Sequence, residues 1–303
     1  MTCYNTIHSK YNMSWNVDTK QEDAMKVVGL GDNVVDKYEH IRVMYPGGNA
    51  MNFAVFARQL GVQAAFLGAF GDDPEGEHVA ESARQEGVDI SRCRRYHGEN
   101  GCARVRLENG DRVFQGSNRC GVLRTEGLRL EPEDYEYLLG FDLIHSGIFG
   151  FAEDEVRTLK ERGARISFDF SSSFTGEYLK RVLPYVDYPV FSCSHLEMGE
   201  MERLLEYAAG QGCALTLCTR GESGAWLADG KEVYRQRPYL VEARDTMAAG
   251  DSFLTCFLVN YLNESQKNPG GHEAAVTVSL ERAAQFAANQ CMVDGSWGHG
   301  VRY

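Results

Sequence analysis

The chain has 303 residues, 31 of them basic and 43 acidic, for a net charge of -12. That balance excludes a general surface for phosphate backbones, which needs clustered positive charge, so no nucleic-acid partner is expected. No apolar run approaches the roughly 18 residues needed to cross a membrane, and nine scattered cysteines without a C-x-x-C pair predict free thiols in a reducing, cytoplasmic setting.

Residues 1–25 are polar and read as a flexible extension ahead of one domain over 26–303. Lys26 to Gly31 is a short apolar run that predicts a buried first strand, with Asp32 and Asn33 at its C-terminal end, where open α/β sheets place their ligands. Tyr38 to Tyr45 alternates as an exposed strand would. Pro46-Gly47-Gly48-Asn49 breaks it, and Ala50 to Leu60 has helical periodicity up to Gly61. A buried strand over Ala64 to Ala69 and a helix over Glu75 to Glu86 follow.

Apolar-polar alternation on both sides of Asn109-Gly110 predicts a hairpin over Arg104 to Phe114. Paired with the 38–45 strand, it would make a small β-sheet lid from about 36–46 and 93–118. Strands and helices then alternate from Asp142 to Cys218, including a helix over His195 to Ala209. The pattern indicates an α/β domain with a mostly parallel central sheet flanked by helices. Thr219 to Gly224 forms a tight turn into Ala225 to Ala228. A strand over Tyr239 to Ala243 leads into Asp245-Thr246-Met247-Ala248-Ala249-Gly250-Asp251, and two long helices close the chain.

The small residues of that last stretch would let consecutive N–H groups meet an anion at a helix N-terminus, with Asp251 beside it as a base for an incoming hydroxyl. Gly47-Gly48 alone is an ordinary turn. Joined to Asn49 and to Asn52 one turn into the helix, it offers groups that suit a polyol. Asp169, in Phe168 to Ser173, reads equally as a ligand to nucleotide or metal and as a helix cap. His145 and His195 read first as structural histidines, and Trp297 as core. Arg104 and Arg106 on the hairpin face either an acidic substrate group or solvent.

The two glycine-containing signatures, in this order and with Gly61 and Gly71 between them, resemble those of the ribokinase-like carbohydrate kinases, the PfkB family, over about residues 26–298. The resemblance implies a ribokinase-like fold and an ATP-dependent sugar kinase. Asp251 would be the base, and the backbone of Ala248, Ala249 and Gly250 the anion hole. Asp32, Asn52, Gly47, Gly48, Asn49 and Arg104 would hold the sugar. Thr219, Gly221, Gly224, Asp245 and Thr246 would lie on the nucleotide side, and Glu197 would hold Mg²⁺ through water.

A monovalent cation (K⁺) near the 245–250 loop and a homodimer through the lid also belong to that expectation. Three positions depart from the pattern. Ala248 replaces a glycine, so that its Cβ either nears the phosphate path or forces φ below zero. Ser194 replaces the asparagine of N-x-x-E, and Thr255-Cys256 replaces a smaller pair. Within the family, Gly31 to Asp36, Asp111 to Phe114, Asp245 to Met247 and Gly295 to Trp297 look most like fructosamine kinases, which implies transfer to the C6 hydroxyl of fructoselysine or a related compound. The alternatives are a kinase for a free ketose, a pentose or a 2-keto-3-deoxy sugar acid, and a non-catalytic sugar or nucleotide binder.

Overall fold

A computed structural model describes residues 25–108 and 111–303. The expected N-terminal extension lies outside the described residues except for Met25, which is buried in the core, and so does the Asn109-Gly110 turn. In chain order the first elements are β1 (Lys26–Gly31), β2 (Val34–Tyr38), β3 (Val43–Gly47), α1 (Asn49–Gln59), β4 (Gln63–Gly71) and α2 (Pro74–Gln85). Next come β5 (Arg94–Tyr96), β6 (Cys102–Glu108), β7 (Asp111–Ser117), α3 (Gly121–Glu126), α4 (Pro132–Leu138), β8 (Leu143–Gly147), α5 (Glu153–Glu161), β9 (Ile166–Asp169) and α6 (Gly176–Val182). The chain ends with β10 (Tyr188–Ser192), α7 (Met198–Gly210), β11 (Thr216–Thr219), β12 (Ala225–Ala228), β13 (Val233–Gln236), α8 (Ala249–Lys267), α9 (His272–Gln290) and β14 (Val301–Arg302).

Nine strands form one sheet in the order β13-β12-β11-β10-β9-β8-β1-β4-β5, parallel from β11 to β5 and antiparallel at β12 and β13. Each face carries its own apolar layer, as a parallel sheet covered by helices requires. Along β1, Val27 joins the layer containing Phe53, Phe56 and Phe257, while Val28 and Leu30 join the one containing Ile144, Phe168 and Phe191. Helix α1 is buried over Ala50 to Ala57, sandwiched between the sheet and α8, which explains its lack of a polar face. Among the described residues no helix is long and apolar enough to cross a membrane.

The second sheet has the order β14-β3-β2-β6-β7. It corrects three expectations. The 38–45 segment is not one exposed strand: residues 39–42 turn, with Arg42 at φ 52°, and the two flanking strands pair as a hairpin whose Asp36, Tyr38, Met44 and Tyr45 are buried. Residues 94–96 leave the lid and pair with β4 in the main sheet. No strand forms over 239–243, where Tyr239, Leu240 and Val241 are exposed; an apolar run that buries no face against the core does not make a strand. The helix expected from His195 begins at Met198, because Glu197 caps it. As expected, β6 and β7 pair antiparallel and β6 lies against β2.

Candidate active site

Where β3 delivers the chain from the lid to α1, Gly48 has φ 108°, and a Cβ there would stand 2.6 Å from the Cα of Asn33. Only glycine tolerates both the positive φ and that approach, so the start of α1 is pressed against the C-terminal end of β1. Asp32 occupies that end. Its carboxylate accepts the backbone N–H groups of Asn49 at 2.8 Å and of Ala50 at 3.1 Å, capping α1 across the strand break. Burial pushes the Asp32 carboxyl up, and the two amides pull it back only in part.

One helical turn separates Asn49 from Asn52, so their side chains project together toward the first turn of α8. The Nδ2 of Asn49 donates to Oδ1 of Asp251 at 2.9 Å and to Oδ2 of Asp169 at 2.9 Å. The Nδ2 of Asn52 donates to the other Asp251 oxygen at 2.6 Å. Asp251 is half-buried and its carboxylate is held on both oxygens by neutral donors from α1. Asp169, at the end of β9, also accepts the Ser171 N–H at 2.7 Å. Burial, reinforced by the charge of Asp251, pushes its carboxyl up to about 7. The niche therefore does not carry three full negative charges at neutral pH.

The expected anion hole is the N-terminus of α8. The Ala249 N–H already meets the Thr246 carbonyl at 3.2 Å, whereas Gly250 is exposed, and a Cβ built on it would meet nothing within 4 Å. The exposed first turn of a 19-residue helix, whose leading N–H groups have no intrahelical acceptor, carries the partial positive charge that a phosphoryl group would meet. Ala248 does not have φ below zero: it is the N-cap, at φ 55°, and is buried. A left-handed alanine costs about 1 kcal/mol. Ala248→Gly should therefore raise Tm by roughly 2 °C, scaled to a chain of this size, and keep or raise kcat. A large fall in kcat would mean that the Ala248 Cβ is needed to shape the loop.

The structure does not bring every expected residue to this niche. Asp245 is buried, and its carboxylate accepts the Tyr38 hydroxyl at 2.6 Å and the N–H groups of Gly295 at 2.8 Å and Met247 at 2.9 Å. It ties the small sheet to the 245–248 loop. Thr246 gives its carbonyl to Ala249. Arg104 is exposed on β6 opposite Lys37, whose ammonium reaches Glu75 of α2, while Asp36, Tyr38 and Val105 lie on the other face with Met247. It is not gathered with the sugar-side residues.

Thr219, Gly221 and Gly224 lie at the C-terminal end of β11. Gly224 has φ 95°, and a Cβ on it would be 2.2 Å from the Gln236 carbonyl oxygen. Ser194 stands beside this turn, its hydroxyl 3.8 Å from the Cβ position of Gly221. Glu197 is exposed, and its carboxylate caps α7 in a reciprocal box with Glu200. Among the described residues no group of three His, Cys, Asp or Glu side chains could hold a metal ion. These residues therefore do not fit a metal cage built by protein alone, and no chemical step below is routed through a metal.

Two further partners of the niche were read from the sequence as core residues. The buried ring of His145 puts Nε2 3.0 Å from Oδ1 of Asn49 and Nδ1 3.0 Å from the Ser167 hydroxyl. The Trp297 indole N–H donates to Oδ1 of Asn52 at 2.8 Å. Both residues are core, as expected, but they are core in contact with the asparagines.

The chain matches the description pfkB family carbohydrate kinase over residues 22–293. It is 38% identical to a fructosamine kinase of Bacillus subtilis across 92% of this chain and 95% of that one. It is 34% identical to the fructoselysine 6-kinase of Escherichia coli, covering 88% and 98%. Among solved structures it is similar to a ribokinase from Giardia lamblia, with a TM-score of 0.73 at 19% identity over 90% and 94% of the two chains. It is also similar to a fructokinase from Xylella fastidiosa, with a TM-score of 0.72 at 19% identity over 89% and 93%. At these identities the two structures establish the ribokinase-like fold.

Proposed function

The chain belongs to the pfkB family of carbohydrate kinases, and from that premise we propose that this sugar kinase moves the γ-phosphoryl group of ATP to the C6 hydroxyl of fructoselysine or a related fructosamine. The observation that carries the reading is Asp251, in the first turn of α8 beside the exposed Gly250, with both carboxylate oxygens held by Asn49 and Asn52 of α1. A hydroxyl placed between Asp251 and that helix end can give its proton to the carboxylate as its oxygen attacks phosphorus. The O–P bond to the sugar forms as the bond to the nucleotide's leaving oxygen breaks, and the charge spread over the transferring group faces the helix amides.

The substrate class is supported by the names of the two relatives at 38% and 34% identity. The turn from Thr219 to Gly224 and the α8 N-terminus are proposed to border the nucleotide. Glu197 is proposed as the residue that would hold Mg²⁺ through water, and the ion would neutralise charge on the nucleotide's phosphates.

An ATP-coupled assay across fructoselysine, glucoselysine, fructose, ribose and 2-keto-3-deoxygluconate tests this. The expected outcome is a kcat/KM for fructoselysine at least about tenfold above the free sugars, a gap of about 1.4 kcal/mol, with phosphorus-31 NMR placing the product phosphate on C6. A free ketose or sugar acid as the best substrate would reject the fructosamine assignment and keep the kinase.

A further inference from the structure

Each oxygen of Asp251 is held by an asparagine, and each asparagine is in turn held by a buried ring. Trp297 donates its indole N–H to Asn52 at 2.8 Å, and His145 meets Asn49 at 3.0 Å. Trp297 is 1% exposed and His145 fully buried, stacked on Phe53 with ring centroids 4.5 Å apart. Burial pushes the His145 imidazole down to about 3, so it is neutral and has one N–H. Because the amino group of Asn49 faces two carboxylates, its carbonyl oxygen faces the ring. The His145 proton is therefore on Nε2, and Nδ1 accepts the Ser167 hydroxyl.

We propose that Trp297 and His145 are positioning residues for the base, acting through Asn52 and Asn49, an inference that rests on Asp251 being that base. A carboxamide can flip, exchanging its oxygen and its amino group. Flipped, either asparagine would turn an oxygen toward the carboxylate and an amino group toward a ring N–H, two repulsions at once. The rings thus leave each carboxamide one orientation, and the two amides together fix the plane of the carboxylate, so that its remaining lone pairs keep one direction. Among the described residues, Asp169 at the end of β9 and Asp32 at the end of β1 are charged groups that face Asp251.

The test is a double-mutant cycle on the full chain. Trp297→Phe keeps the ring and removes the N–H. Its kcat should fall about tenfold, the scale of one lost hydrogen bond to a charged network, with KM for ATP within about twofold. The acid limb of kcat/KM should move to higher pH, because a loosened amide stabilises the ionised base less. In an Asn52→Ala background the same change should alter kcat by less than about twofold. His145→Leu should behave likewise against Asn49→Ala, and His145→Gln, which can donate, should recover part of the loss.

A folded Trp297→Phe with unchanged kcat and acid limb, or an equal loss in the Asn52→Ala background, would overturn the proposal. Should Trp297→Phe not fold, the His145 series decides by the same criteria. If the wild-type chain turns over no sugar, the kinase reading falls on its own. The clamp is then judged by hydrogen exchange of the Asn52 side-chain amide in the nitrogen-15-labelled protein: faster exchange in Trp297→Phe supports it, and equal exchange overturns it.

Discussion

Asp251→Asn should lower kcat about a thousandfold, within the range that general-base catalysis contributes, while nucleotide and sugar still bind within about threefold. The substitution removes the only function that needs a proton acceptor and keeps the shape of the side chain. It also makes a local conflict. Both oxygens of Asp251 accept from asparagine amino groups, so an asparagine at 251 turns its own amino group toward one of them. Asp251→Ala is therefore the companion, without a base and without the conflict. Alignment of hydroxyl and phosphoryl group between α1 and α8 survives in both variants, so neither should fall to zero. Coupled turnover and calorimetric titration with a non-hydrolysable nucleotide separate the two effects. Either variant keeping a tenth of wild-type kcat with binding intact would remove Asp251 from the role of base.

The α/β architecture was legible because its signals are local: apolar runs for strands covered on both faces, 3.6-residue periodicity for helices, and glycine where the backbone needs it. Gly48 and Gly224 could be named from the sequence because their backbones admit no side chain. The 38–45 region was misread because its alternation continues across a turn that rests on Arg42 at φ 52°, a conformation that residue type does not announce. The 239–243 segment failed for the opposite reason, having strand-like residues that the fold leaves exposed.

In the site, the signatures pointed to Asn49, Asn52 and Asp251 but not to their mutual contacts. Asn49, expected to line a sugar pocket, bridges Asp169 and Asp251, a contact that its position in the signature does not announce. The partners that orient the asparagines, His145 and Trp297, are ordinary core residues by composition. Only the fold, which lays β8 under α1 and returns residue 297 beside it, gives them a second task. Asp245 was placed on the nucleotide side by resemblance; its three hydrogen bonds make it a tie between Tyr38 of the small sheet, Met247 of its own loop and Gly295 near the C-terminus.

That assignment predicts that Asp245→Ala is the most destabilising of the substitutions considered. The carboxylate is 1% exposed and accepts three hydrogen bonds, from a phenol on β2 and from two backbone amides, Met247 and Gly295. Truncation removes the acceptor that these three buried donors share. At about 1–3 kcal/mol for each unsatisfied group, offset in part by water entering the space of the lost side chain, the loss should be about 4 kcal/mol. Tyr38→Phe removes one bond and leaves the carboxylate its two amides, so it should lose only about 1–2 kcal/mol.

Because Met247 precedes the left-handed Ala248 that starts α8, Asp245→Ala should also loosen the helix end beside Asp251. Its kcat should then fall more than tenfold, the factor that a misplacement of about 1 Å can readily exceed. Tyr38→Phe leaves that loop tied and should act mainly on sugar KM, through the lid. Urea unfolding followed by steady-state kinetics orders the two variants. If Tyr38→Phe proved the more destabilising, or if Asp245→Ala kept full kcat at a temperature where it is folded, the carboxylate would not be the tie between lid and phosphoryl-transfer site.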